Sequence, residues 1–314
     1  MQIRSVFDPN SIQSSFQSRS RLIPTPLHIG TQERLSMTTA DSPRRPSLRS
    51  LAAGAIGGLL NVTCILALFA RGNYPVLDSP TQLAVLVLAG FTLGFVALFI
   101  TSYTRLLTPA VGFLAVLAGA AYLELTTPLP EWDELGGYVI VDGPTHVSSY
   151  AHTWYVWLSL VVVAGLVEFG LRRGYGVGDG RLRNLPSFPL SRIGLGRTVA
   201  TAAGLVGLAT ALLVLRAGIQ PSASVLVGFV VATAVAAVPL AALFSRGLVI
   251  PVVLFALVPY ALAVEVFLTT DSPVHILLFG PYAVGLLIAA AVEYWLRAKL
   301  GGWDGGRFTD HQST

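Results

Sequence analysis

The sequence is poor in cysteine, in lysine and in charged residues generally. Its 314 residues include a single cysteine, Cys64, and charged side chains make up 11% of the chain. One cysteine excludes a disulfide framework and a cysteine-ligated zinc or iron–sulfur centre. Soluble domains carry about 25% charged residues, so this chain has too few to cover a surface that faces water. The single lysine, Lys299, follows the last apolar stretch, so no retinal Schiff base is expected within a membrane span.

Motifs for enzymatic chemistry are also missing. The sequence has no HExxH, GxSxG, Walker or Rossmann glycine pattern in a strand–helix context. We therefore predict no catalytic residue, no metal site and no cofactor, and we do not expect an enzyme. The formal net charge of +4 comes mostly from loop arginines that set membrane topology, so it does not indicate nucleic acid as a partner.

Long apolar stretches dominate the chain instead. Apolar and aromatic residues make up 54% of it, and the mean hydropathy is +0.69. A membrane span needs about 20 mostly apolar residues. Eight stretches qualify, at 51–70, 82–101, 107–125, 152–171, 198–215, 223–244, 248–268 and 275–296. They are too long for barrel strands, and lipid admits only helices or closed barrels, so we predict eight transmembrane helices.

Basic residues are distributed unequally between the two sides of these helices. Fourteen lie on the side that both termini share, and two, Arg71 and Arg216, lie on the opposite side. Cytoplasmic loops carry the excess of basic residues, so both termini are predicted to be cytoplasmic. Arginine supplies 19 of the 20 basic residues, which is typical of GC-rich genomes, and we predict a multi-pass protein of a prokaryotic plasma membrane.

The two halves of the sequence resemble each other. Residues 167–180 and 292–305 share seven of 14 positions, and the helix that follows Arg105 aligns without a gap on the helix that follows Arg246. Charges matched at equal depth predict a tandem duplication. Each repeat holds four helices, so the halves are predicted to share one orientation. The predicted fold is an all-α integral membrane protein of two parallel four-helix repeats, with both termini inside.

These patterns divide the chain into five segments. Residues 1–46 are predicted to be a disordered cytoplasmic tail, in which 1–36 is alternatively a mis-assigned start before Met37. The segments that follow are the first repeat at 47–180, a basic cytoplasmic linker at 181–197, the second repeat at 198–305 and a cytoplasmic tail at 306–314.

The first repeat carries an acidic insert in its outer loop, at 126–150. Its aromatic residues predict an interfacial belt with a short re-entrant or lid-like loop. The insert and the start of the next helix also gather carboxylates and two histidines, whose spacing fits no metal-ligand motif: Glu131, Asp133, Glu134, Asp142, His146 and His152.

Four glutamates lie within the predicted spans, where ionisable residues are costly and mark function by default. Glu168 and Glu293 lie near the cytoplasmic ends of their helices. Arg172 and Arg297 follow them at i+4, in the order that favours an intrahelical ion pair. We predict that these residues form two ion pairs at the inner end.

Glu124 and Glu265 lie in the outer third of their helices and align at a shift of 141 residues. Neither has an arginine or lysine within a turn in sequence. Lone carboxylates in a medium of low dielectric constant are expected to exchange a proton or to contact a cation. If the repeats pack around a common axis, the two carboxylates face each other. Alternatively, each is a structural glutamate bonded to hydroxyl groups or water.

Small residues recur at four-residue spacing in four of the predicted helices. This spacing lets two helices approach closely, either within a four-helix unit or between two copies of the chain. The motifs are Gly54-x-x-x-Gly58, Gly90-x-x-x-Gly94, Ala203-x-x-x-Gly207 and Gly228-x-x-x-Ala232.

Two functions from different classes fit these observations. The first is a small-solute or ion permease, in which Glu124 and Glu265 take up protons or contact the solute. The second is a non-catalytic membrane subunit for assembly, lipid organisation or sensing. The expected partners are membrane lipids, a small solute or cation, and a second copy of the chain.

Overall fold

Within the part of the chain that the structure describes, eight helical segments are long and apolar enough to cross a membrane, as the sequence predicted. The computed structural model describes residues 46–136, 138–217, 223–267, 276, 278–301 and 306–308. The predicted tail at 1–46 lies outside these residues, apart from Pro46. The elements in chain order are α1 (Leu48–Arg71), α2 (Pro80–Thr104), α3 (Thr108–Thr126), β1 (Glu131–Leu135), β2 (Tyr138–Asp142), α4 (His146–His152), α5 (Trp154–Tyr175), α6 (Arg192–Arg216), α7 (Ala223–Arg246), α8 (Ile250–Phe255), α9 (Leu257–Phe267) and α10 (Phe279–Gly301).

All the helices except α4 belong to membrane-length segments, and α8 with α9 forms one interrupted segment of 18 residues. Local sequence explains where most of them begin. The hydroxyls of Ser47 and Ser191 accept from main-chain N–H groups in the first turns of α1 and α6. Pro80, Pro109 and Pro251 occupy the first or second residue of α2, α3 and α8, where a missing N–H costs nothing.

Helix α5 lies at the centre of the described structure. Two large hydrophobic clusters form the core, one mainly from α1 to α4 and the other mainly from α6 to α10. Val156 and Phe169 of α5 belong to the second cluster, and Trp157 and Val161 belong to the first. Helix α5 therefore contributes side chains to both clusters of the core.

Glycines let α1 pack directly against α2. A side chain on Gly57 would collide with the carbonyl oxygen of Gly94, and one on Gly94 would collide with the main chain of Gly57. Gly54 and Gly58 leave room for two phenylalanine rings of α2. The small-residue motifs of both helices are thus used within the chain, and the alternative that they join two copies stays a prediction.

The two ends of the bundle differ in their contacts. We call the end at which Arg172 lies the basic end, and the end at which β1 and β2 lie the hairpin end. At the basic end, Arg172 of α5 donates to the carbonyl of Arg105, which directly follows α2, at 3.1 Å. At the hairpin end, Arg71 of α1 donates to the carbonyl of Glu124, near the end of α3, at 2.9 Å.

The outer insert folds as an antiparallel β-hairpin followed by α4, a difference from the predicted all-α fold. Glu131 pairs with Asp142 and Leu135 with Tyr138 across the two strands. The indole N–H of Trp132 donates to the carbonyl of Gly72 at 2.8 Å, which ties the hairpin to the end of α1. The polar strand β1 lacks clear alternation of apolar residues, so the sequence pattern did not predict it.

The close contact of α1 with α2 leads to a stability prediction. Gly94→Ala forces the two helices apart, and overpacking of this kind costs about 1–3 kcal/mol. Gly119→Ala in α3 is the matched control, because a side chain there enters open space and alanine favours the helix by about 0.5–1 kcal/mol. Unfolding by sodium dodecyl sulfate, followed by circular dichroism, gives both free energies. Equal effects of the two substitutions would contradict the close contact.

Candidate functional site

Glu168 of α5 caps the beginning of α3. Its Oε2 atom accepts from the main-chain N–H groups of Leu107 and Thr108, each at 2.7 Å, and from the Thr108 hydroxyl at 2.9 Å. The first N–H groups of a helix have no partner within the helix and need an outside acceptor. A carboxylate suits them because it accepts several bonds and its charge interacts favourably with the helix dipole.

The other early donors of α3 are accounted for as well. Pro109 has no N–H, and the N–H of Ala110 donates to the hydroxyl of Thr101 in α2 at 3.1 Å. Val111 then donates to the carbonyl of Leu107 at 3.0 Å, which is the first regular bond of the helix. Every backbone donor in this turn is thus bonded or absent, as a helix end in an apolar environment requires.

Arg172 holds the Glu168 carboxylate from the opposite side. Its Nη1 atom lies 2.9 Å from Glu168 Oε1. The same guanidinium donates to the carbonyl oxygens of Arg105 and Gly178, at 3.1 and 3.0 Å. The ion pair therefore joins the end of α2, the start of α3 and the end of α5.

Glu293 of α10 caps the beginning of α8 in the same way. Its Oε1 atom accepts from the N–H of Val249 at 3.0 Å, and its Oε2 atom accepts from the N–H of Ile250 at 2.8 Å. Arg297 Nη2 lies 2.5 Å from Oε1. Glu293 is 4% exposed and Glu168 is 9% exposed, so both carboxylates are buried. The structure thus brings together the residues of both predicted inner-end pairs and adds a capping role that the sequence did not reveal.

The turns that precede the two caps also correspond. Arg105 and Gly247 each follow a helix with a left-handed backbone, at φ of 62° and 66°. Pro109 and Pro251 are each the second residue of the next helix. The residue numbers in each of these two pairs differ by 142. In the gapless sequence alignment the shift is 141, which pairs Arg105 with Arg246.

Glu124 is buried at the hairpin end and both of its carboxylate oxygens accept hydrogen bonds. The Tyr74 hydroxyl donates to Oε1 at 2.7 Å, and the N–H of Val147 in the first turn of α4 donates to Oε2 at 3.0 Å. Burial, together with the Glu124 carboxylate, raises the pKa of Tyr74 above its usual range, so the hydroxyl keeps its proton. Glu124 therefore links α3, α4 and the segment after α1.

A second buried polar network, which the sequence did not predict, joins α1, α2 and α4. The amide of Asn61 in α1 donates to the carbonyl of Gly90 in α2 at 2.8 Å. The hydroxyl of Tyr150 in α4 donates to the oxygen of the same amide at 2.8 Å. Asn61 is the one asparagine in the eight predicted spans. Its amide is the available sequence signal, because a polar group buried in an apolar span needs hydrogen-bond partners.

Glu265 is half-buried and lines an open-sided cavity of about 560 Å³, which we call the Glu265 cavity and of which several lining side chains are exposed. The other lining residues are apolar or aromatic and come from α9, α10 and the residue before α10: Leu257, Val258, Tyr260, Ala261, Val264, Leu278, Phe279 and Tyr282. Tyr74 and Val147, which donate to Glu124, do not line this cavity. A shared site for the two carboxylates stays a prediction.

Another cavity, of about 350 Å³, lies between α5 and the helices α8 and α9. We call it the Arg172 cavity, because Arg172 and Glu168 line it together with apolar side chains. Pro259 lines this cavity, whereas its neighbour Val258 lines the Glu265 cavity. The interrupted helix thus separates the two cavities.

The interruption between α8 and α9 lies at Ala256. The N–H of Ala256 donates to the carbonyl of Val253 at 3.2 Å, three residues back instead of four. Pro259 lacks the N–H that a regular helix would direct to the carbonyl of Phe255. The hydroxyl of Tyr282 in α10 donates to the carbonyl of Leu254 at 2.5 Å.

The basic end includes a contact made by the predicted C-terminal tail. Asp179 accepts from Arg173 at 2.5 Å and from Arg307 at 2.8 Å. Its hydrogen bond to Arg173 is the main cause that lowers the pKa of Asp179. Phe308 is buried, with its ring centroid 5.4 Å from that of Tyr175. Residues 306–308 are therefore docked onto the end of α5.

The chain matches no known protein family, no curated protein and no solved structure.

The capping glutamates lead to a second stability prediction. In Glu168→Gln, an NH₂ group replaces one carboxylate oxygen and faces either the backbone N–H donors or the Arg172 guanidinium, and Arg172 loses its anionic partner. Loss of a buried charged acceptor is expected to cost about 2–4 kcal/mol of unfolding free energy. Glu293→Gln is expected to cost less, because among the described residues Glu293 accepts from three donors and Glu168 from four.

The control for both variants is Glu134→Gln on the exposed strand β1, where a change within about 0.5 kcal/mol is expected. Detergent unfolding measures all three variants. A Glu168→Gln variant as stable as the control would show that the cap does not support the fold.

Asp179 leads to a prediction about pH. A carboxyl whose folded-state pKa is lowered stabilises the fold above its unfolded pKa, and this contribution is lost as the pH falls through the folded pKa. Asp179→Asn is therefore expected to melt below the wild type at pH 7. The gap should close as the pH falls below about 3.9, the usual pKa of aspartate. Asp142→Asn on β2 is the control, and thermal unfolding in detergent between pH 7 and 3 measures the difference. A gap that does not depend on pH would exclude this ionic role.

Proposed function

We propose that this protein is a small-solute or ion permease whose solute binds beside the interrupted helix α8–α9. The observation that carries the proposal is that the interruption at Ala256 lies between two cavities, each lined by one glutamate, Glu265 or Glu168. Transporters bind solutes next to interrupted helices, because the interruption brings backbone carbonyls and helix ends into the interior of the protein.

The Glu265 cavity is the proposed binding site. Its volume of about 560 Å³ falls in the range of about 300–1,000 Å³ that is typical of small-molecule sites. One carboxylate among apolar and aromatic side chains favours a solute that carries a proton or a positive charge. In this proposal Glu265 contacts the solute, whereas Glu124 holds the hairpin end together.

We further propose that the two halves are parallel tandem repeats with both termini in the cytoplasm. The matched caps of Glu168 on α3 and Glu293 on α8 support the duplication, because equal chemistry recurs at equal places in the two halves. The excess of arginine at the basic end supports the orientation. A prokaryotic plasma membrane is the proposed location.

One observation favours the alternative of a non-catalytic membrane subunit. The carboxylates of Glu124, Glu168 and Glu293 bind main-chain N–H groups of their own chain, which is a structural role. Of the four intramembrane glutamates, Glu265 is the one that lines the proposed solute site. A protein that organises lipids or partner subunits needs no such residue.

Flux through proteoliposomes tests the proposal. The purified chain is reconstituted, and H⁺, Na⁺, K⁺ and tetraethylammonium gradients are applied in turn. We expect flux of at least one of these ions, and Glu265→Gln should reduce it about tenfold, equivalent to about 1.4 kcal/mol. Glu134→Gln should leave the flux unchanged. Glu124→Gln should lower stability before it alters flux per folded protein.

Two outcomes contradict the proposal at different points. Unchanged flux in a folded Glu265→Gln variant would remove Glu265 from the path. No flux of any of these ions in the wild type would favour the membrane-subunit alternative.

A further inference from the structure

The Arg172 cavity is apolar along most of its length and charged at one end. The lining residues of α5 run from Leu160 to Arg172, which spans about 18 Å of helix. One leaflet of a bilayer has about 15 Å of hydrocarbon, so the cavity is as long as one leaflet is deep. Val252 and Phe255 of α8 form part of the opposite wall.

The two charges at the basic end of this cavity are used differently. Glu168 accepts four hydrogen bonds, including two from the backbone at the start of α3, so its charge is engaged inside the protein. A guanidinium has five N–H donors. Arg172 directs its Nη atoms to Glu168 and to two carbonyl oxygens, and its Nε–H takes part in none of the described bonds. Its side chain is 15% exposed and lines the cavity.

We propose that the Arg172 cavity binds one acidic phospholipid, with an acyl chain between α5 and α8–α9 and the phosphate on Arg172. Basic pockets between membrane helices on the cytoplasmic side are a known type of site for acidic headgroups. The apolar wall selects a lipid over free phosphate, because free phosphate leaves the wall unoccupied. This site is independent of the proposed solute site.

The second half of the chain provides a matched control. Arg297 pairs with Glu293 as Arg172 pairs with Glu168, but Arg297 does not line the Arg172 cavity. Ala164 lines the Arg172 cavity and Ala261 lines the Glu265 cavity. A phenylalanine at either alanine fills one cavity and leaves the other open.

Lipid retention tests the site. The full chain is incorporated into nanodiscs of equal amounts of phosphatidylglycerol and phosphatidylcholine with the same acyl chains, then released into detergent. Native mass spectrometry counts the retained lipids. We expect one retained phosphatidylglycerol, favoured about tenfold over phosphatidylcholine because of the charged contact. Arg172→Gln and Ala164→Phe should each lose this preference, and Arg297→Gln and Ala261→Phe should keep it.

The possible outcomes distinguish an acidic phospholipid from a free anion as the occupant of the Arg172 cavity. Equal retention of the two lipids, or equal behaviour of Arg172→Gln and Arg297→Gln, would overturn the proposal. Thermal stabilisation by inorganic phosphate as large as that by phosphatidylglycerol would also overturn it in favour of a free anion. If Arg172→Gln does not fold, the pair Ala164→Phe and Ala261→Phe decides, since neither changes the ion pair. Retention by Ala164→Phe equal to that of the wild type rejects the site.

Discussion

A helix that begins in an apolar layer must find acceptors for its first backbone N–H groups, because water is absent there. In this protein, carboxylates from other helices supply them. Glu168 caps α3, Glu293 caps α8, and Glu124 accepts from the first turn of α4. Each cap joins segments that are distant in sequence. Three of the four intramembrane glutamates are therefore explained by the backbone that they satisfy.

The caps also explain why such costly residues persist in apolar helices. An unsatisfied backbone group in hydrocarbon costs several kcal/mol, and a buried charge is costly unless it is paired and hydrogen-bonded. Bringing Glu168 to the start of α3, with Arg172 on its other side, compensates both costs at once. Glu124, Glu168 and Glu293, which are three of the few charged residues within the apolar helices, thus serve the starts of other helices.

The sequence predicted the membrane helices well, because apolar length is a local property. It also predicted which arginine follows each inner glutamate, because i+4 spacing is local too. It did not reveal that Glu168 caps α3, since the capped N–H of Thr108 lies 60 residues earlier and only tertiary packing joins them. The same holds for Tyr74 and Glu124. Polar strand β1 was missed because its pairing with β2, and not an apolar pattern, defines it.

Glu124 and Glu265 show how alike sequences acquire unlike surroundings. Glu124 follows Pro109 by 15 residues, whereas Glu265 follows Pro251 by 14. One residue turns a side chain by about 100° around a helix, and the interruption at Ala256 alters the path of the second helix further. Glu124 consequently meets Tyr74 and α4, and Glu265 lines a cavity between α9 and α10. In the proposed duplication, this offset gives one copy of the carboxylate backbone and tyrosine partners and places the other at a cavity.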